Sequence, residues 1–379
     1  MIDILKKHSG KAAGLLLIII AAICCGVCFI LFRSGSKQRI SVTKNAVEMG
    51  TAVSLTVYGE QGRLSEQACR DHLSEVNFRI LKMIGDLDRY TLSWRSEDSE
   101  VYRFNRSSQT EAMSVSPELA EVIRDSLELS RDSHGALDIT LRSVIDLWGI
   151  ESFDGKTAYI PPSSDEIEKA AASVGYEHLT LTDAASGEIL LEKDIPELSL
   201  DLGAVGKGYA LDLAAEELAG SDTSGAVLAA GGSILAYGDK GEPWKIGIRD
   251  PESSPSDLIG IISVPGESGQ KTFISTSGGY EKYVEYEGKI LQHIIDGRTL
   301  YPAESGLVSV TVVTKDSGLA SDGLSTACFI LGMEESKPLL ESRNAEAVFI
   351  TGDKTVWLTA GLTGRVTIYN SEYSVKEVL

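Results

Sequence analysis

The segment GLASDGLSTACFILG sets Asp322 and Thr326 four residues apart, with Ser325 beside them. In a helix that spacing projects both oxygens from one face. A carboxylate and a hydroxyl are hard ligands suited to Mg2+, which keeps few protein ligands and fills its other positions with water and substrate phosphate. The same residue types also build an N-terminal capping cluster, and spacing alone leaves both readings open. A second feature is DLGAVGKGYALDLAAEELAG, Asp201 to Gly220, where a strand-like run meets three glycines and Lys207 and turns directly into a helix. Backbone N–H groups at such a loop favour an anion, although a tight turn with no ligand has the same composition. In LQHIIDGRTLYP, His293, Asp296 and Arg298 lie where a strand enters a turn. That pairing suits a proton carrier and its orienting carboxylate, or simply an aspartate that caps the turn. In SHGALDITL, Gly135 ends a helix and Asp138 sits in the turn that follows.

These groups need elements to hold them. MGTAVSLTVYG, Met49 to Gly59, reads as a strand. Ser65 then caps a helical run to about Tyr90, with Val76, Ile80, Met83, Ile84 and Leu87 at helical spacing. Ser116, Pro117 and Glu118 open a second helix that ends at His134–Gly135, and Ser164, Asp165 and Glu166 open a third. From Leu179 onward short alternating strands dominate, interrupted by the Lys207 helix and by one beginning near Gly318. There is no internal repeat and no low-complexity tract. The expected architecture is one α+β domain, with an inserted lobe a candidate around Glu151–Ser173.

The 379 residues are 43% hydrophobic and 24% charged, an ordinary globular composition. Residues 12–32 contain no Asp, Glu, Lys or Arg, a run long enough to cross a bilayer. Lys6, Lys7 and Lys11 precede it and Arg33, Lys37 and Arg39 follow, so flanking charge does not set the orientation. An uncleaved signal anchor with the domain outside is the simplest reading. A cleaved signal peptide competes with it, but no A-x-A site follows closely. Ile23 before Cys24 and Val27 before Cys28 argue against a lipoprotein. The expected organisation is a cytoplasmic N-terminus at 1–11, the span at 12–32, a tether at 33–47, a domain at 48–370 and a tail at 371–379. Beyond residue 39 the chain holds 29 basic and 54 acidic residues, a balance that repels nucleic acid and gives no basic stripe. Only Cys69 and Cys328 lie outside the apolar run, so this is neither a disulfide scaffold nor a zinc ribbon, and whether the two pair stays open.

Taken in order, MGT, LSWRSEDSEVYRFN, GALDITLRSVIDLWG, DLGAVGKGYALD, AAGGSILAYG, WKIGIRDP, ISTSGGYEKY, HIIDGRTLYP and SDGLSTACFILG closely resemble the ApbE family, the FAD:protein FMN transferases. The resemblance covers roughly Glu48 to Leu362. It implies an ApbE-like, T-fold-type β-rich core with flanking helices, preceded here by one transmembrane helix. It also implies an enzyme that cuts FAD at its pyrophosphate with Mg2+, releases AMP and attaches FMN through a phosphoester to a Thr or Ser of a target protein. By the same resemblance Asp201 and Lys207 lie at FAD, and the metal takes the Ala204 carbonyl, Asp322 and Thr326, with Ser325 adjacent. Met49, Ala136, Leu137 and Asp138 lie against the flavin nucleotide, Val308 lines the site through its backbone, and His293 acts in catalysis. The departures are Gly297 where a proline usually follows HIID, TSGGY for TSGDY, and Ser93–Trp94–Arg95 for STY, where Trp94 is positioned to stack on a flavin or adenine ring.

Two other readings share the site: a Mg2+-dependent FAD pyrophosphatase, in which water replaces the protein hydroxyl, and an FAD carrier without chemistry. The resemblance implies an acceptor motif in which an Asp is followed shortly by Ser/Thr-Gly-Ala-Thr/Ser. SDTSGAV, Ser221 to Val227, matches it up to the last residue, where Val227 has no hydroxyl. It leads into an apolar run that reads as a buried strand, so FAD is expected to bind non-covalently.

Overall fold

The computed structural model describes residues 39–61, 65–108, 110–254 and 256–377. Nine strands build one sheet: β1 (Arg39–Glu48), β2 (Thr51–Glu60), β3 (Gly225–Ala230), β4 (Ser233–Gly238), β5 (Lys271–Gly278), β6 (Leu307–Thr314), β7 (Glu346–Thr351), β8 (Thr355–Leu358) and β9 (Ser374–Glu377). Their order across the sheet is their order along the chain. Each neighbouring pair is antiparallel except the last, β8 with β9. The folded unit therefore reaches back at least to Arg39, ahead of 48, because Arg39–Glu48 pairs along its whole length with β2. It also extends past 371, because Ser374–Glu377 pairs with β8. The apolar run 12–32 lies outside the described residues. Among the described residues no helix is long and apolar enough to cross a membrane.

The long connections carry the helices. Between β2 and β3 lie α1 (Glu66–Leu87), α2 (Pro117–Asp132), α3 (Arg142–Trp148) and α4 (Gly206–Ala219), while α5 (Gly318–Ser342) joins β6 to β7. The Ser65 hydroxyl accepts from the Ala68 N–H to start α1, which buries Leu73, Val76, Ile80 and Ile84 against β1 and β2. Each such side chain contributes about 1.5–3 kcal/mol through burial. α1 stops at Leu87, short of Tyr90, and a π-helical turn over Asp88–Leu92 takes its place. Such turns concentrate at functional sites, and this one delivers Asp88 and Trp94 to a cleft.

Side chains alternate across the sheet, so Phe273 and Val312 enter the main core beneath the helices while Ile274 and Val313 enter a second cluster on the other face. Phe153, Tyr159 and Ile167 join a third cluster with Leu141, Trp148 and Ile295. The stretch 151–173 is thus packed into the domain rather than set apart as a lobe. Cys69 and Cys328 are both buried free thiols.

The register decides where a site can form. Val53 pairs with Ala230, Ala230 with Ser233, Ser233 with Ser275 and Gly278 with Ser309. The β1–β2 turn, the β3–β4 turn, the end of β5 and the start of β6 therefore share one end of the sheet.

Candidate active site

At that end the first turns of α4 and α5 cross backbone to backbone. A Cβ on Gly208 would lie 2.1 Å from the Gly318 carbonyl oxygen, and one on Gly318 would lie 2.2 Å from that of Gly208. Each helix caps the other. Asp212 of α4 accepts from the first N–H groups of α5, Gly318 at 2.7 Å and Leu319 at 2.9 Å. Burial pushes the Asp212 carboxyl up to about 6 despite these two bonds. Asp322 of α5 accepts from the Gly208 N–H at 3.0 Å and from the Ser233 hydroxyl at 2.9 Å. α4 has no side-chain cap from its own chain start, so Asp322 supplies one from across the interface. Gly208→Ala should therefore cost about 3 kcal/mol, since neither contacting backbone can retreat. Thermal melting checks this: a fall of roughly 4 °C is expected for a unit of this size, and an unchanged Tm would contradict the close crossing.

The Asp322 carboxylate has a second role open to it. Its Oδ2 lies 3.7 Å from the Lys207 ammonium, which donates to the Gly203 carbonyl at 2.8 Å. The Ser277 hydroxyl at the end of β5 lies 2.8 Å from that of Ser325 and 3.1 Å from that of Thr326. Ser325 also donates to the Asp322 carbonyl at 2.9 Å. Because Gly208 donates to Asp322 and not one turn back, the Ala204 carbonyl takes no hydrogen bond among the described residues. Asp322, Thr326 and the Ala204 carbonyl are thus all-oxygen donors with a single carboxylate. Among the described residues no group of three or more His, Cys, Asp or Glu side chains could hold a metal. Such a donor set fits Mg2+ that draws its remaining ligands from phosphate and water, and does not fit zinc.

A cleft of about 360 Å³ opens beside this cluster, lined by Met49, Asp88, Trp94, Gly206 and Lys207 among others. Met49 and Gly50 form the two-residue β1–β2 turn with φ of 51° and 70°, and the Met49 N–H donates to Asp88 at 3.2 Å. Both positive φ values match the turn that twists with its strands. Trp94 carries the Arg95 guanidinium 4.0 Å and the Arg142 guanidinium 3.8 Å from its ring centre. Two guanidinium groups thus lie over the indole, and an incoming ring competes with the exposed Arg95 for that surface. Arg142 is buried and holds Asp201 at 2.7 Å. Asp201 also accepts from the Gly203 N–H at 2.8 Å, which shapes the loop leading to Lys207.

Ala136, Leu137 and Asp138 sit behind this region, and all three are largely buried. The Asp138 carboxylate accepts from the Thr140 N–H and hydroxyl, both at 2.7 Å, and from the Tyr176 N–H at 3.1 Å. Burial raises its pKa even so. This carboxylate is tied both to its own turn and to the Tyr176 backbone. Gly297 donates to the Ala136 carbonyl at 3.1 Å, and a Cβ there would meet the Gly135 oxygen at 2.3 Å. That contact explains why glycine, and not proline, follows HIID in this chain. The Val308 carbonyl accepts from the Gly279 N–H at 3.3 Å, and its side chain packs on the second apolar cluster.

His293 belongs to a separate network. Its backbone N–H and its Nδ1 both meet the Lys282 carbonyl at 3.1 Å. A carbonyl only accepts, so Nδ1 carries the proton and Nε2 is left with its lone pair. Burial lowers the His293 pKa below its usual value, Lys282 adds to that, and Glu151 opposes it. The neutral ring is therefore the resting form at neutral pH.

The structure thus brings Lys207, Asp322, Ser325 and Thr326 together, with Ala204 one turn ahead of Gly208 in the chain, Met49 and Trp94 on the adjoining cleft and Asp201 tied in through Arg142. Ser233, Ser277 and Arg142 belong to the same cluster but were not singled out in the sequence, although TSGGY and GALDITLRSVIDLWG contain two of them. SDTSGAV runs from the end of α4 into β3, which is hydrogen-bonded on both sides by β2 and β4. It cannot act as an exposed acceptor loop.

Comparison with known proteins agrees with this geometry. Residues 49–349 match the model of the ApbE family. The chain is 30% identical over 337 residues to the FAD:protein FMN transferase of Salmonella typhimurium, covering 87% of this chain and 91% of that protein. It is 34% identical over 268 residues to the enzyme of the same name from Escherichia coli, covering 70% and 74%. Among solved structures it resembles the flavin transferase ApbE from Vibrio cholerae, with a TM-score of 0.69, 27% identity and coverage of 87% and 100%. The ApbE protein of Thermotoga maritima superposes with a TM-score of 0.72, 27% identity and coverage of 86% and 99%. The family match takes in most of the sheet, both crossing helices and the residues that line the cleft: the chain belongs to the ApbE family.

Proposed function

We propose that the protein is a Mg2+-dependent FAD:protein FMN transferase. It cleaves FAD at the pyrophosphate, releases AMP and joins FMN through a phosphoester to a Thr or Ser hydroxyl of an exported or membrane-bound acceptor carrying an Asp-x-x-Ser/Thr-Gly-Ala-Thr/Ser-like motif. The run 12–32 anchors it as a single-pass protein with the domain on the outer face of the cell membrane. The observation that carries this reading is the meeting of Lys207 and Asp322, 3.7 Å apart at the crossed N-termini of α4 and α5, beside a cleft of nucleotide size.

Lys207, in the first turn of α4, places a compact positive charge where an anion would sit. Asp322, Thr326 and the Ala204 carbonyl would hold Mg2+, which when bound neutralises charge on the pyrophosphate. In a domain this acidic the attraction must come from local cations, and Arg95 on the cleft adds to Lys207. Met49, Asp201 and the loop Ala136–Asp138 position the flavin nucleotide, and Trp94 offers a ring face. His293 Nε2 accepts the proton of the attacking hydroxyl. Phosphoryl-type transfer asks mainly for positioning and charge stabilisation, and these residues provide both.

Incubation with FAD, Mg2+ and an acceptor peptide bearing the motif separates the alternatives by their products. AMP with flavin bound to the peptide supports the transferase. AMP with free FMN identifies a pyrophosphatase, and no AMP identifies a carrier. The pH profile gives a further check. Activity needs neutral His293, so kcat/KM should rise with pH through an acid limb below 6.5, the ordinary histidine value. A limb above that value would contradict the assignment of His293 as the base.

A further inference from the structure

We propose that Glu151 is a positioning residue for His293, acting through Lys282 and joining the histidine to the FAD side of the site through Arg142; this rests on the transferase reading above. Lys282 and His293 flank the hairpin Tyr283–Tyr286/Lys289–Gln292, whose pairing of Tyr283 with Gln292 is extended outward by the His293 N–H to the Lys282 carbonyl. One residue thus fixes both the backbone and the Nδ1 of His293. The side chain of Lys282 is held by Glu151, whose Oε1 lies 3.0 Å from the Lys282 ammonium. Its Oε2 lies 4.0 Å from the Arg142 guanidinium, the same group that holds Asp201 and covers Trp94.

The chain Trp94, Arg142, Glu151, Lys282, His293 therefore runs from the cleft to the proton acceptor with no long gap. Glu151 is not among the residues that line the cleft. It holds the ammonium of the residue whose carbonyl orients the histidine, and its charge offsets that ammonium. The other charged groups near His293 are Glu281, which is paired with Arg249 at 2.6 Å, and Lys282 itself. Arg142 is shared with Asp146 as well as Asp201. Glu151 is half-buried, and burial alone would raise its pKa. Lys282, His293 and Arg142 outweigh that and hold it ionised, below the usual carboxylate range. It is therefore a standing negative charge wherever His293 titrates.

The test follows the His293 ring by NMR in the full-length protein labelled at histidine, with His293→Gln assigning its signal. Glu151→Gln keeps the shape and removes the charge. His293 should then titrate at lower pH than in the parent, and the acid limb of kcat should move down with it, while KM for FAD changes less than threefold. Lys282→Met removes the opposing charge, and His293 should titrate at higher pH. A loosened loop would move both variants the same way, so shifts of opposite sign support the proposal. Superimposable His293 titrations in the parent and Glu151→Gln, or shifts of one sign in both, overturn it. Because the ring titration is read without turnover, this outcome is independent of whether the protein transfers flavin or hydrolyses it.

Discussion

Asp322→Asn should fold, melt near the parent temperature and release AMP from FAD about 10³-fold more slowly. The fold survives because the asparagine oxygen still accepts from Gly208 and its amide still has the Ser233 hydroxyl as a partner, 2.9 Å away in the parent. What disappears is the single carboxylate of the oxygen cluster. A hard divalent cation held by one charged ligand loses most of its binding with that charge, and with it several kcal/mol of stabilisation at the pyrophosphate. Lys207 remains, so FAD still binds. Chromatographic measurement of AMP, with a melting curve on the same sample, separates the two effects. Turnover within tenfold of the parent would remove Asp322 from the metal site and leave it only as the cap of α4.

His293→Ala should lower kcat for transfer by about 10²–10⁴-fold, the usual range for losing a positioned general base. KM for FAD should stay close to the parent value. Lys207, Met49 and Trp94 line the FAD cleft, whereas His293 is held by Lys282 in a different network. Steady-state kinetics with FAD and acceptor varied in turn makes the comparison. A large rise in KM for FAD with kcat unchanged would mean that His293 binds the nucleotide and moves no proton.

The sequence marks candidate residues more clearly than it shows what their side chains hold. The spacing of Asp322 and Thr326 was open to a metal site or a capping cluster, and the structure shows Asp322 as a cap, though for another helix. No periodicity within α5 could disclose that, because the capped N–H belongs to Gly208, far away in the chain. Gly208 itself reads as part of a phosphate loop, yet a neighbouring backbone occupies the space of its missing side chain. Gly206 fits the simpler reading, since it faces the cleft. Arg142 and Glu151 were invisible for a related reason: their partners Asp201, Trp94 and Lys282 are assembled only by the packing of α3 against the loops. At the edges of the domain, RISVTKNAVE has an alternation too weak in apolar residues to stand out, and it is the paired β2 that makes a strand of it.

The central claim is that FMN leaves FAD for a protein hydroxyl. Intact mass spectrometry of an acceptor protein, after incubation with the enzyme, FAD and Mg2+, reads it most directly. The expected result is a mass gain equal to one FMN less water, matched one for one by AMP in solution and absent when the acceptor threonine is replaced by valine. AMP accumulating with free FMN while the acceptor mass stays unchanged would contradict it.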